Sequence, residues 1–388
     1  MKNKKLLLST VILLSLVSCG GGNSEVSNSI SVNTEVKITD LANRELTIDT
    51  SKVNKVVCVG AGALRLYSYV GDMNKLSGAE DIDRTTGEKG SNPFVTASRP
   101  YYDVNKDLLK NLPSCGLGGP MHQQAEAEKI LACEPDVVFS LYTDPKAAND
   151  LQEKLGGIPV VVLKYGQQSV FDENIKKSLR VLGQVLNKSE KAENLISYID
   201  TSKTELQNKT KDVKNEDKES VYIGCLGNWG KQSIYSTSTS YPLFTVSGIK
   251  NVLEDNASIT QGNVDPASFV ACNPDKIILD AAGVDLFKTT YNEDPDKFNA
   301  MDAFKNGEIY LQMPFNAYYT NLEIALMDAY YDALVVFDEQ YKDFDLDAKC
   351  KEISEAFLGV DCYESIKNAK SSHGGFQKIS NPAEFFAE

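Results

Sequence analysis

A short motif occurs twice in this 388-residue chain, and its spacing limits the folds that the chain can adopt. Ala132-Cys133-x-Pro135-Asp136 is matched 139 residues later by Ala271-Cys272-x-Pro274-Asp275. Each copy lies between a helix-forming stretch and a short apolar run, a pattern typical of a helix, a Pro-Asp turn and a strand. The period is too long for a solenoid. The repeat predicts two similar α/β lobes with a cleft between them; the alternative is a chance match between two common connections.

The N-terminus has the layout of an export signal. Three lysines precede the apolar stretch 6–17, which is too short to span a bilayer comfortably. The sequence Leu16-Val17-Ser18-Cys19 then resembles the bacterial lipobox. That resemblance implies that residues 1–18 are removed as a lipoprotein signal peptide and that lipid chains such as palmitate are attached to Cys19. Several lipid chains on one residue hold a protein at a membrane surface. The alternative is an ordinary signal peptide with a chance cysteine.

Length and charge restrict the rest of the chain. Residues 19–34 are rich in Gly, Ser and Asn and predict a flexible tether. The remainder is longer than one hydrophobic core usually supports, which favours two domains. Loss of the three signal lysines would lower the formal net charge from −14 to −17. Because no basic stripe offsets this charge, we do not expect nucleic-acid binding.

Strand and helix patterns alternate on both sides of one long polar helix. The alternation predicts an N-terminal lobe over residues 35–187 and a C-terminal lobe over 218–388. A hairpin is expected over residues 35–49, and residues 188–217 are expected to form the connecting helix. The predicted fold class is therefore α/β: two similar Rossmann-like lobes, each a mostly parallel sheet with flanking helices, joined by one long connecting helix.

Cysteine and histidine usage argues against a metal centre. Seven cysteines remain once Cys19 is committed to lipid, and only Cys350 and Cys362 have a spacing compatible with a local disulfide. The sequence alone does not decide whether these two cysteines form a disulfide. No CxxC or Cys/His spacing suggests zinc, so neither a metal site nor a cofactor is expected.

The familiar catalytic motifs are missing from the sequence. It contains no Gly-x-Ser-x-Gly elbow, His-Glu-x-x-His or Walker loop, so we do not expect an enzyme. The sequence from Gly60 to Arg65 is a partial dinucleotide fingerprint, but Arg65 stands at the third glycine position, which favours a tight turn over a nucleotide site. An exported hydrolase and a surface adhesin are the rival classes.

Aromatic and small polar residues follow several predicted strands in both lobes. Open α/β sheets bind ligands at such strand-to-helix junctions, so we expect these side chains to line the cleft. The expected ligand contacts are Tyr101, Met121, His122 and Tyr142 from the first lobe and Trp229, Tyr235, Tyr241, Phe315 and Tyr318 from the second. Backbone amides of residues 116–119 and hydroxyls of residues 236–240 could instead hold a small oxyanion.

Several of these features together resemble a known family. They are the lipobox, the tether, the paired Pro-Asp-strand units, the connecting helix and residues 54–60, 76–80 and 99–101. They are similar to the solute-binding lipoproteins of ABC importers in the iron-siderophore, haem and cobalamin group (class III periplasmic binding proteins). Some members of this group bind molybdate or tungstate. The resemblance covers roughly residues 35–370.

This resemblance implies a transport function. The protein would capture an iron–siderophore or related metal chelate as cargo and deliver it to an ABC permease and its ATPase. It would be an exported lipoprotein, anchored through Cys19 at the outer face of the cell membrane or in the periplasm, and it would act as a monomer. The alternative cargoes are a molybdate or tungstate oxyanion, haem and cobalamin. With His122 as the one histidine of the first lobe, a haem site that needs two axial ligands is disfavoured.

The resemblance also implies a docking surface. In this family a glutamate on each lobe contacts arginines of the permease. The first-lobe glutamate lies seven residues before the proline of the repeat, which is Glu128 here. Ala267 occupies the equivalent position in the second lobe, so Asp265 is the best substitute there.

Overall fold

The structure is a computed structural model that describes residues 34–84, 98–119, 122, 124–166, 169–227, 232–254 and 261–387. The predicted lipidation site Cys19 and the predicted ligand contacts Met121 and Trp229 lie outside these residues, as does the signal segment. Residues Glu35–Glu388 form one compact unit. No helix of the described part of the chain is both long enough and apolar enough to cross a bilayer.

The first lobe contains the predicted hairpin and a parallel sheet. Strands β1 (Glu35–Thr39) and β2 (Glu45–Asp49) pair antiparallel. Strands β3 (Val56–Val59), β4 (Val137–Ser140) and β5 (Val160–Val162) form a parallel sheet in that order. Every residue of these three strands is buried, because the sheet is covered on both faces.

In the described part of the first lobe, seven helices accompany this sheet. They are α1 (Ala63–Val70), α2 (Asp81–Arg84), α3 (Pro100–Asp103), α4 (Lys106–Leu109), α5 (Ala127–Ala132), α6 (Pro145–Lys154) and α7 (Glu173–Val185). Aspartates cap the two longest of them: Asp144 accepts a hydrogen bond from the Ala147 amide, and Asp172 accepts one from the Asn174 amide.

A single long helix connects the two sheets. Helix α8 (Ser189–Thr210) has 22 residues and is therefore about 33 Å long. Ala192, Leu195, Ile196, Ile199 and Leu206 are buried at the spacing of one helix face. The helix was predicted to reach residue 217 but ends at Thr210, because the polar residues beyond it do not continue this apolar face. A 3-10 turn forms there instead.

The described part of the second lobe contains a larger sheet and a separate pair of strands. Its strands are β6 (Ser220–Gly224), β7 (Ser236–Ser238), β8 (Lys250–Asn251), β9 (Gln261–Asn263), β10 (Lys276–Asp280), β11 (Ile309–Gln312) and β12 (Gln377–Lys378). The order β12-β11-β10-β6-β8 is parallel except at β12, which pairs antiparallel with β11. Strands β7 and β9 form a separate antiparallel pair.

Ten helices are found among the described residues of the second lobe. They are α9 (Pro242–Ser247), α10 (Pro266–Cys272), α11 (Val284–Glu293), α12 (Pro295–Asn299), α13 (Asp302–Lys305), α14 (Leu322–Val336), α15 (Asp338–Tyr341), α16 (Leu346–Leu358), α17 (Tyr363–Lys367) and α18 (Pro382–Ala387). Short 3-10 helices cover Thr50–Lys52, Met73–Lys75, Asn215–Asp217, Ala281–Gly283 and Lys370–Ser372. The sequence did not predict α11, whose paired threonines have low helix propensity; packing of Val284, Phe287 and Tyr291 stabilises it.

The repeated motif has the same structural role in both lobes. Asp136 accepts hydrogen bonds from the Asn54 and Lys55 amides, both at 2.8 Å, just before β3. Asp275 accepts one from the Ser220 amide at 2.7 Å, at the start of β6. Each aspartate therefore ties its own strand to the start of the neighbouring parallel strand. This equivalence confirms that the two lobes are similar α/β units.

One hydrophobic cluster joins the lobes. It includes first-lobe residues such as Tyr69, second-lobe residues such as Phe357 and the buried face of α8. The rings of Tyr69 and Phe357 meet edge to face, with centroids 5.1 Å apart. Two further clusters lie within single lobes. Shared packing on this scale limits how far one lobe can move from the other.

Candidate ligand site between the two lobes

Loops at the carboxyl ends of the first-lobe strands form one wall of the site. Gly60 and Gly62 follow β3 with φ angles of 90° and 85°, which favour glycine. A Cβ atom on Gly62 would lie 2.6 Å from the ring of Tyr165, which follows β5. The glycine therefore allows the two loops to pack together and places the start of α1, with Arg65, at the sheet edge.

The opposite wall is the loop between β11 and α14, residues 313–321, here termed the Tyr318 loop. Asn316 and Thr320 form an antiparallel bridge, so the chain turns back at residues 317–319. At this tip Tyr318 and Tyr319 have φ angles of 53° and 74°. Two successive non-glycine residues in this region are uncommon, and such strain persists only where the surroundings hold it.

The Tyr318 side chain crosses from the second lobe into the first. Its hydroxyl donates to Oε2 of Glu80 at 2.8 Å and accepts from the Gly119 amide at 2.9 Å. Only 4% of Tyr318 is exposed. The floor of the site is thus a buried tyrosine of one lobe bonded to two elements of the other.

Arg65 holds the same loop through its backbone. Its guanidinium donates to the carbonyl oxygens of Tyr318 at 3.0 Å and Ala317 at 2.6 Å, and to the Tyr165 hydroxyl at 3.3 Å. It also lies over the ring of Tyr101, 4.6 Å from the centroid. Arg65 is fully buried, and none of the ion pairs among the described residues includes it. Its contacts therefore serve to join the lobes.

Glu80 is a buried carboxyl at the centre of these contacts. Burial is the main cause that raises its pKa, to about 7, and the nearby carboxylate of Asp83 acts in the same direction. Hydrogen bonds from the Gly60 amide, at 3.1 Å, and from the Tyr318 hydroxyl, at 2.8 Å, oppose this rise, and the nearby Tyr142 hydroxyl acts in the same direction. Glu80 is thus poised to gain or lose a proton near neutral pH.

The exposed edge of the site is largely aromatic and apolar. The rings of Tyr165 and Tyr319 contact each other with centroids 4.5 Å apart, and Tyr319 is 39% exposed. On the first lobe, the Tyr142 hydroxyl donates to the carbonyl of His122 at 3.2 Å. Leu117 lies in the same loop region and is also exposed. Such an edge suits a ligand with flat apolar faces and a few polar groups.

Comparison with known proteins assigns the family. The family described as periplasmic binding protein matches residues 67–312, which is more than half of the chain. The chain belongs to this family.

Similar proteins share the same fold over most of their length. An uncharacterized ABC transporter substrate-binding lipoprotein of Bacillus subtilis (strain 168), YvrC, is 23% identical over 311 residues, which cover 79% of this chain and 87% of the relative. A periplasmic solute-binding protein from Veillonella parvula DSM 2008 superposes with a TM-score of 0.67 at 20% identity, covering 90% of this chain and 99% of the other. The molybdate-bound MolA of Haemophilus influenzae superposes with a TM-score of 0.60 at 18% identity, covering 84% and 98%.

These findings establish a two-lobed α/β binding protein. It is the substrate-binding component of an ABC importer, and its partners are a permease and an ATPase. The family is one of substrate-binding transport proteins and is not a class of enzymes.

The structure brings three of the predicted ligand residues of this binding protein together. Tyr142 and Tyr318, from different lobes, lie near Glu80, and the Tyr142 hydroxyl bonds the backbone carbonyl of His122. Tyr101 lies beneath them, and its hydroxyl donates to Asp83 at 2.7 Å. The contact of each with cargo remains a prediction.

The other described candidates lie inside the second lobe. Tyr241 and Phe315 are buried with ring centroids 6.3 Å apart, and the Tyr241 hydroxyl accepts from Gln312 at 3.0 Å. Tyr235 packs against Phe269, and its hydroxyl accepts from Lys297 at 3.0 Å. All three side chains already have partners in the chain. Contact of any of them with cargo remains a prediction, and it would require these existing contacts to break.

Sequence reasoning missed Arg65, Glu80 and Tyr319. Arg65 was noted only because it interrupts a partial nucleotide fingerprint, and Glu80 only as an acidic residue of that fingerprint and as part of the family pattern. A signal was available, because a charged residue directly after an apolar strand in an α/β lobe lies at the ligand-binding edge. The crossing of Tyr318 into the first lobe depends on tertiary packing and left no local signal.

Both predicted docking carboxylates are exposed. Glu128 lies in the first turn of α5. Asp265 caps α10, accepting hydrogen bonds from the Ala267 and Ser268 amides, each at 3.0 Å. The hydrogen bond with Ser268 is the main cause that lowers the pKa of Asp265. Their contact with the permease remains a prediction.

The two cysteines whose spacing could allow a local disulfide are not paired in the structure. Cys350 and Cys362 are free thiols and are buried. Within the described ranges, no group of three or more His, Cys, Asp or Glu side chains is arranged to hold a metal ion.

Proposed function

We propose that this binding protein captures an iron–siderophore or related metal chelate between its lobes and delivers it to the permease. One observation carries the proposal: Tyr318 of the second lobe bonds the buried carboxyl group of Glu80, and Tyr142 of the first lobe lies close enough to that carboxyl group to affect its pKa. Phenol rings suit the apolar faces of an organic chelate, and their hydroxyls suit its polar edge. The exposed ring of Tyr319 adds to the same surface.

A small oxyanion is less well supported by the geometry. The amides of Gly116, Leu117 and Gly119 already donate hydrogen bonds within the chain. The hydroxyl-bearing residues Ser236–Ser238 form the buried strand β7. An ionised Glu80 would also repel an anion at the centre of the site. The likeness to molybdate-bound MolA is a likeness of fold, so it does not reverse this order.

We further propose that Cys19 carries the lipid anchor and that the protein acts as a monomer. The lipobox-like sequence before Cys19 supports the anchor. Metabolic labelling with a palmitate analogue tests it: wild-type protein should be labelled and Cys19→Ala should not. Labelling of Cys19→Ala would overturn this assignment.

A thermal-shift panel tests the cargo class. Purified full-length protein is heated with ferric catecholate and hydroxamate siderophores, haem, a corrinoid and molybdate. A bound ferric chelate at 100 times its dissociation constant should add about 2.7 kcal/mol to the free energy of unfolding. A shift with molybdate and none with any chelate would overturn the proposal.

Matched variants locate the binding. Tyr142→Ala should weaken the shift produced by the same chelate, because the ring lies at the exposed edge of the site. Tyr198→Phe alters a tyrosine on α8 that bonds Glu352 and should leave the shift unchanged. Equal loss in both variants would point to general destabilisation and count against the assigned site.

A further inference from the structure

The contacts that cross the lobes are concentrated at the tip of the Tyr318 loop. We infer that Arg65, Glu80 and Gly119 of the first lobe form, with Ala317 and Tyr318 of the second, a proton-dependent clasp that holds the binding cleft closed before cargo arrives. In this clasp Glu80 is a positioning residue: it acts on cargo through the placement of Tyr318. The inference deepens the proposed function and rests on it only in assigning cargo to this cleft.

The bonding pattern supports a single cooperative unit. Tyr318 is held at both ends, since its hydroxyl bonds Glu80 and Gly119 while Arg65 binds its carbonyl. The donors and acceptors are buried, so breaking one bond leaves its partners without water and costs more than the same bond at a surface. Loss of the hydroxyl bonds should therefore loosen the whole loop tip.

The tip of the Tyr318 loop should move when its bonds to the first lobe break. The left-handed backbone of Tyr318 and Tyr319 is strained, and such strain persists only while the surroundings hold it. On the other side, Asn321 fixes the base of the loop, since its amide donates to the Phe315 carbonyl at 2.7 Å and its side chain to the Ser98 carbonyl at 3.0 Å. The tip can therefore relax while the base stays attached to α14.

The charge environment makes the clasp sensitive to protons. Five titratable groups are electrostatically coupled to Glu80, so that each pair influences the pKa of at least one of its members. They are Asp83, Cys58, Cys115, Tyr142 and Tyr318. None of these is a cation. Arg99 lies 2.7 Å from Asp83 and compensates that carboxylate instead. The largest effects that offset the burial of Glu80 are therefore its hydrogen bonds.

The sign of the pH effect follows from the raised pKa. In the clasp the pKa of Glu80 is about 7, whereas in water it returns towards 4.5. The closed state therefore binds the proton more tightly than the open state. Closure is favoured most below about pH 4.5 and is weakened as the pH rises through 7. Between these values the opening equilibrium should grow by up to about tenfold per pH unit, and it should level off above 7.

Hydrogen–deuterium exchange on the cargo-free full chain tests this inference. Protection of peptides containing Gly119 and residues 317–318 is measured from pH 5 to 8.5 and corrected for the intrinsic exchange rate at each pH. Wild-type protection should fall between pH 5 and 7 and then stay constant. Glu80→Gln cannot titrate and should remove this step. A step that persists in Glu80→Gln, or wild-type protection that does not change with pH, would overturn the clasp.

Two further variants keep the result interpretable. Asp280→Asn alters another buried carboxyl whose pKa burial raises to about 7, and it should retain the step because Asp280 bonds the Ala282 amide within the second lobe. Tyr318→Phe removes only the hydroxyl and should lower protection at Gly119 at every pH; unchanged protection there would also contradict the clasp. If Glu80→Gln does not fold, Tyr318→Phe carries the test. Because no cargo is present, failure of every chelate to bind would leave these outcomes untouched.

Discussion

Single residues set the geometry of the site through the backbone as much as through side chains. Gly62 has a left-handed conformation and lies directly against Tyr165, and this contact positions Arg65 for its bonds to the second lobe. Tyr318 and Tyr319 accept a similar conformation without being glycines. The difference reflects contacts: the two tyrosines are held by partners, whereas Gly62 has no room for a side chain.

Substitution of Gly62 by alanine separates these two effects. Gly62→Ala should lower the free energy of unfolding by about 2–4 kcal/mol, since it adds backbone strain and a clash with Tyr165. Gly156 also has a positive φ, 69°, but its Cβ position is open. Gly156→Ala should therefore cost only about 1–2 kcal/mol. Urea unfolding of both variants measures the difference; equal costs would show that packing against Tyr165 is unimportant.

Among the elements, helix α14 carries two buried carboxyl groups whose burial the sequence did not reveal. Asp328 and Asp332 are one turn apart and fully buried, and both oxygens of Asp332 have no hydrogen-bond partner among the described residues. Burial raises the pKa of both aspartates well above the usual range, and nearby Asp280 acts in the same direction. The pKa of Asp280 is raised to about 7 by burial.

This arrangement predicts a pH-dependent gain from Asp332→Asn. A carboxyl whose folded pKa is raised destabilises the fold as the pH rises from about 4 towards that folded value. Asp332→Asn should therefore raise the free energy of unfolding at pH 8 by more than about 1.4 kcal/mol, the equivalent of one pKa unit. The gain should shrink at pH 5. Asp343→Asn, at an exposed position, should change neither value. Thermal unfolding of the wild type and both variants at the two pH values measures these changes. An Asp332→Asn variant less stable than the wild type at pH 8 would contradict this explanation.

The elements also show what the sequence could predict. The hairpin, the parallel strands, α8 and α14 follow from local pattern, and the repeated Pro-Asp motif correctly indicated two equivalent lobes. Helix α11 could not be predicted because tertiary packing overrides its weak propensity. Tyr142 and Tyr318, which lie near Glu80, were predicted from their positions after strands. Tyr235 and Tyr241 follow the same rule but point to partners within their own lobe, since strand-end position does not fix side-chain direction.

At the scale of the whole molecule, ligand binding and permease docking should be separable. Glu128→Ala should reduce uptake of a ferric siderophore by cells but leave its affinity for the purified protein unchanged, because exposed charges mainly guide association. Asp265→Ala should also lose a helix cap worth about 1 kcal/mol, so Asp265→Asn, which retains the cap, is the matched variant. Reduced ligand affinity in Glu128→Ala would refute the docking role.

The single tryptophan provides the most direct test of the central claim, that a metal chelate binds between the lobes. Trp229 is predicted to contact the cargo, and ferric chelates quench tryptophan fluorescence at short range. Titration of the full-length protein with a ferric siderophore, with N-acetyltryptophanamide as the control for light absorption, should give saturable quenching at one chelate per chain. Tyr142→Ala should weaken the affinity about tenfold, equivalent to about 1.4 kcal/mol. Quenching that never saturates with any metal chelate, or an affinity unchanged by Tyr142→Ala, would contradict the claim.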